Sequence, residues 1–118
     1  MNTTPSQKLV ADLVGHVPEL SGILNEHVQD NDGVLPHLFL ADVARSVAAA
    51  FLNGGAAERS AVSRILEFFE NRLELGGEVA EVIGVSFVEM LPSTGEPASG
   101  VRDLLGPKLS DEFRGLNW

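Results

Sequence analysis

With 118 residues, 44% of them apolar, the chain is long enough to bury one hydrophobic core and too short for two folded domains of ordinary size. Seventeen Asp and Glu face eight Lys and Arg, a formal net charge of −9 at pH 7. This disfavours DNA, RNA and anionic membranes as partners and favours a basic protein. Cysteine is absent, which excludes disulfides, thiolate metal sites and cysteine nucleophiles.

The first element has a clear helix start. Thr4 is placed to cap, Pro5 occupies the first helical position, and Gln7 can reach back to the free N–H of the cap. Leu9, Val10, Leu13, Val14 and Val17 then line one face of a short helix. Pro18 restarts the chain, and Leu20, Ile23, Leu24, His27 and Val28 form the inner face of a second helix. That helix should stop at Asp30-Asn31-Asp32-Gly33, residues that tolerate left-handed or turn backbone.

After Pro36, the segment Leu38–Leu52 is almost wholly apolar, with Asp42, Arg45, Ser46 and Asn53 as its polar members. So little polar surface predicts a central helix, ended at Asn53-Gly54-Gly55. The fourth helix, Ala57–Leu75, has a core face of Val62, Ile65, Leu66, Phe69 and Leu73 opposite Ser63, Glu67, Glu70 and Glu74. Gly76-Gly77 ends it.

Glu78–Leu91 is rich in β-branched residues and open to a strand reading. Val79, Val82, Ile83, Ser86, Phe87 and Met90 recur at steps of three and four, which predicts a helix. A breaker-rich loop, Leu91–Pro97, then precedes two short helices, Ser99–Leu105 and Pro107–Leu116. Trp118 either tucks into the core or anchors an interface. The expected fold is all-α: a single helical domain over 1–118, a compact bundle of five to seven helices or a short HEAT-like set of antiparallel helix pairs.

The charge is uneven. Residues 66–96 hold seven acids and one base, whereas residues 34–65 hold two acids and three bases. Glu67, Glu70 and Glu74 stand at i, i+3 and i+7, so they share a ridge on which only Arg72 offers relief. That ridge, continued by Glu78 and Glu81, is either a solvated face that keeps the protein soluble or a docking surface for a basic protein.

Other chemistry finds little footing. His16, His27 and His37 lack the four-residue helical spacing of a metal pair and read as core or capping residues. A calcium loop starting at Asp30 would need Gly at its sixth position and Glu at its twelfth, where Leu35 and Ala41 stand. There is no Gly-x-Ser-x-Gly elbow and no phosphate-binding glycine loop. No cofactor, metal or catalytic residue is expected, and no enzyme. Met1–Val10 is polar, so no secretory signal is expected; no stretch approaches the ~20 apolar residues of a membrane span, and the expected location is the cytoplasm.

Two stretches carry a family likeness: Asp30–Asp42, with Asp32, His37 and Asp42, and Val85–Pro92, with Phe87 and Glu89, followed by Val101-Arg102-Asp103-Leu104-Leu105-Gly106-Pro107. Together they resemble a bacterial family of small acidic helical proteins, stand-alone domains of unknown function. The resemblance implies an all-helical domain whose partner is a toxin of a polymorphic toxin system. The expected function is therefore that of a non-enzymatic, immunity-type inhibitor of a basic toxin such as a nuclease, monomer or homodimer. Glu67, Glu70, Glu74, Glu78 and Glu81 would form its partner-binding surface. The alternative is a structural helical protein that self-associates through the apolar third helix.

Overall fold

A computed structural model of the chain describes residues 4–91, 101 and 104–116, with side chains described as far as residue 111. Its helices are α1 (Pro5–His16), α2 (Ser21–Asn31), α3 (Pro36–Asn53), α4 (Ala56–Arg72), α5 (Gly77–Val82) and α6 (Pro107–Leu116). Single 3₁₀ turns lead into α2 (Pro18–Leu20) and extend α4 (Leu73–Leu75). No strand occurs among the described residues, and the fold is all-α. The expected loop over residues 92–97, most of the expected helix Ser99–Leu105 and Trp118 lie outside the described residues.

The start of α1 follows the sequence grammar. Thr4 Oγ1 accepts the Gln7 N–H at 3.1 Å, and Gln7 Oε1 accepts the Thr4 N–H at 3.1 Å, a complete capping box. At the end of α2, Asp32 takes a left-handed conformation (φ 58°) and the Gly33 N–H returns to the Val28 carbonyl at 3.2 Å. Between α3 and α4 the chain turns so tightly at Gly54 that an added Cβ would lie 2.5 Å from both the Ala50 carbonyl oxygen and Glu58 Cβ. A side chain there has no room.

The third helix is central, as its composition predicts: it packs on α1, α2, α4, α5 and the turn that follows α5, burying Phe39, Leu40, Val43, Ala44 and Val47. The core closes around Phe39, Phe69 and Phe87, all fully buried, with Phe69 and Phe87 ring centroids 4.4 Å apart. Phe68 is also buried, although the helix pattern did not single it out. Its ring lies between His16, 5.6 Å away, and the Arg72 guanidinium, 4.4 Å away. Leu109 of α6 and Val101 complete the core from the carboxy-terminal side.

The segment after α5 corrects the periodic pattern in one respect. Residues Ile83–Val88 wind as a π-turn, with the Glu89 N–H bonded to the Gly84 carbonyl at 3.0 Å, five residues back. Steps of three and four place Met90 on the Ile83 face. The wider π winding instead carries Val88 inward (1% exposed) and leaves Met90 at 46% exposure.

Candidate functional site

The acidic ridge is built where α4, α5 and α6 meet the start of α1. Helices α1 and α6 each begin with Pro, which has no N–H, and each needs acceptors for the next donors of its first turn. In α6, Glu70 supplies both: its Oε2 accepts the Lys108 N–H at 2.8 Å and its Oε1 the Leu109 N–H at 3.0 Å. The Ser110 N–H bonds the Gly106 carbonyl at 2.9 Å, so the first turn is fully satisfied. A Cβ on Gly106 would come within 2.5 Å of Glu70 Oε1, so glycine is what lets the carboxylate approach.

Glu78 does the same for α1. Its Oε2 accepts the Ser6 N–H at 3.0 Å and the Ser6 hydroxyl at 2.6 Å, and together with the capping box this satisfies the first turn. Hydrogen bonds from the Ser6 hydroxyl and N–H, with a smaller contribution from His37, hold the Glu78 carboxyl below the ordinary glutamate range. Glu74 pairs with Lys108 Nζ at 2.9 Å, which lowers its carboxyl in the same way. The relief of the ridge therefore comes from α6 and α1. Arg72, which the sequence offered for that task, covers the Phe68 ring.

Glu67 and Glu81 differ. Both are exposed, and neither side chain makes a hydrogen bond or ion pair with another described residue. Of the five glutamates expected at a partner surface, Glu70, Glu74 and Glu78 thus have internal partners and Glu67 and Glu81 face solvent.

The histidines are held by separate sets of contacts. His27 is buried, and its Nε2 accepts the Leu35 N–H at 3.0 Å, which places the ring proton on Nδ1, 3.5 Å from Asp42 Oδ2. Asp42 also binds Arg45 one turn along α3, so it acts both on the surface and between helices. His37 Nδ1 lies 2.5 Å from the Ser86 hydroxyl, tying the start of α3 to the π-turn. Among the described residues no three His, Asp or Glu side chains are grouped to hold a metal ion. A cleft of about 260 Å³ between the turn before α2 and helices α2, α3 and α4 is lined mainly by Leu20, Ile23, Val47, Ala50, Ala61 and Ile65. It is smaller than the roughly 300–1,000 Å³ of usual small-molecule sites.

Residues 10–118 match the family model described as a domain of unknown function, DUF7674. The chain belongs to the DUF7674 family. No curated protein and no solved structure matches it. In this DUF7674 domain the two stretches that carry the family likeness, Asp30–Asp42 and Val85–Pro92, meet in space through the His37–Ser86 hydrogen bond. Phe87 lies in the core, whereas Glu89 is exposed on the far side of the same turn. Sequence spacing missed the Ser6, Lys108 and Leu109 contacts of the glutamates. The usable signal was Gly106-Pro107: a helix start without a Ser, Thr, Asp or Asn cap needs its acceptor from elsewhere. No helix among the described residues is long and apolar enough to cross a membrane.

Proposed function

We propose that this chain is a non-enzymatic protein-binding module, an immunity-type inhibitor that covers the basic surface of a cognate bacterial toxin such as a nuclease, in the cytoplasm. The observation that carries the reading is the exposure of Glu67 and Glu81, two carboxylates without internal partners, within the chain's most acidic segment. Such a field accelerates encounter with a cationic partner and selects against acidic ones, while apolar neighbours supply lasting affinity. Inhibition proceeds by occlusion: the carboxylates occupy the place of substrate phosphates on the toxin.

The test is co-expression with the product of the neighbouring reading frame in a bacterial host, followed by titration of the purified pair. Growth rescue, and a complex that weakens as salt rises, are expected. Glu67→Gln with Glu81→Gln should weaken the complex without lowering the melting temperature. Absence of any complex, or one indifferent to both salt and this double substitution, would exclude the reading. The self-association alternative has less support, because α3 is enclosed by other elements and exposes large apolar side chains only near its ends, at Leu38 and Leu52. Light scattering at low micromolar concentration separates the two.

A further inference from the structure

Among the described residues, His27 is the only buried side chain that can change charge near neutral pH. Both of its ring nitrogens are engaged. A backbone N–H can only donate, so the Leu35 N–H at 3.0 Å requires a lone pair on Nε2, and the single ring proton of the neutral form stands on Nδ1, 3.5 Å from Asp42 Oδ2. Asn31 Nδ2, 3.3 Å from Nδ1, donates instead to the His27 carbonyl at 2.9 Å. The Phe39 ring of α3 meets the imidazole edge-on, with centroids 5.6 Å apart. No other charged group makes a hydrogen bond or ion pair with the ring. Asp42 is the acid that α3 supplies, and Arg45 is bound to it; Glu19, on the 3₁₀ turn before α2, is bound to Arg64; Glu26, Asp30 and Asp32 are exposed.

The Leu35 bond has a structural task. Beyond Gly33, whose N–H returns to Val28, it is the hydrogen bond that ties the connection between α2 and α3 back to α2. Leu35 also caps α3 without a side-chain hydrogen bond, its carbonyl accepting the Phe39 N–H at 2.9 Å. The imidazole thus fastens a turn that contains two residues of positive φ, Asp32 (58°) and Gly33 (145°).

We infer that His27 is an acid-released latch on the connection between α2 and α3. A proton taken up at Nε2 removes the lone pair and sets two N–H groups face to face, so the Leu35 bond is lost. The buried ring tolerates the new charge because the Asp42 carboxylate, 34% exposed, stands on its other side and becomes the partner of the imidazolium. Neutral His27 therefore keeps residues 31–36 fastened, whereas protonated His27 stays against Asp42 and lets them go. Leu35 is itself 45% exposed, so water and the proton reach Nε2 as the turn opens. The latch lies within the Asp30–Asp42 stretch and is independent of the protein-binding reading above.

NMR of the full chain between about pH 7.5 and about pH 5 tests this. Long-range proton–nitrogen correlations at the upper end should show His27 as the Nδ1–H tautomer. Across the range the Leu35 amide should lose about tenfold in exchange protection, corrected for the intrinsic exchange rate, while Leu13 in the core of α1 keeps its own. The loss should share its midpoint with the titration of the His27 ring. His27→Gln, whose amide oxygen can accept the same N–H and does not titrate, should hold Leu35 protected throughout. Asp42→Asn should move the loss to lower pH, since the incoming charge then has no partner. An Nε2–H tautomer, Leu35 protection that stays constant or follows the His37 ring, an equal loss at Leu13, the same loss in His27→Gln, or a midpoint that Asp42→Asn leaves in place or raises would each overturn the inference.

Discussion

Glu70 and Glu81 carry the same carboxylate on consecutive helices, yet the fold uses them in opposite ways. Glu70 is half-buried and receives two backbone N–H groups from α6, while Glu81 stands in solvent beside Val85 without a described partner. The contrast extends along each surface. On the α4 side Glu74 holds Lys108, and at the start of α5 Glu78 holds Ser6, so that half of the acidic pole fastens α6 and α1 to the core. Farther along, Glu81 and Glu89 remain exposed. Negative charge counted along the sequence is therefore two populations, one that stabilises helix ends and one that faces solvent.

The largest effect should come from Phe87→Ala, which removes the ring beneath both populations. A loss of about 3–5 kcal/mol is expected by denaturant unfolding, and the distinction between the two sets of glutamates should vanish with the packing. Next, Glu70→Ala should cost about 1–2 kcal/mol, because two first-turn donors of α6 lose their acceptor and the helix dipole its counter-charge. Faster hydrogen exchange at the Lys108 and Leu109 amides, with the Ser6 amide unaffected, would separate this from general loosening. Gly106→Ala approaches the same contact from the helix side and should destabilise by about 1 kcal/mol, with the same exchange signature.

A pH titration sharpens the comparison further. The folded Glu78 and Glu74 carboxyls sit below their ordinary range, so the unfolded chain binds protons first. Their stabilisation is present above roughly pH 4.3 and is lost as pH falls through the lowered folded values. Glu78→Gln should flatten the stability curve between about pH 5 and pH 3, measured by thermal unfolding across that range. The smallest effect belongs to Glu67→Gln, which should change stability by less than about 0.5 kcal/mol.

Much of the fold was legible in local spacing, because helices state their inner face every three or four residues. The capping box at Thr4, the stop at Asp32 and the enclosed third helix all rest on interactions within a few residues of one another. The π-turn was not legible: steps of three and four suit α and π winding alike, and the difference appears only when Val88 turns in and Met90 turns out. The division of the acidic pole was hidden for another reason. Glu78 meets Ser6 across 72 residues and Glu70 meets Leu109 across 39, and helix periodicity carries no information about which foreign helix end a carboxylate will find. Proline at the start of α6, without a local cap, marked the need but not the donor of the acceptor.

The π-turn also makes chain length a determinant of which side chains face outward. A π-turn is an α-helix carrying one extra residue, so removing one residue between Gly84 and Val88 would let the segment run as a plain α-helix with everything after it still facing as before. The glutamate and methionine that follow the turn would stay exposed and Leu91 would keep its buried seat, whereas a second deletion, with no extra residue left to absorb it, would turn them all by about 100° about the axis. The faces beyond the turn are thus specified by residue count as much as by residue type, and the turn holds one residue of slack.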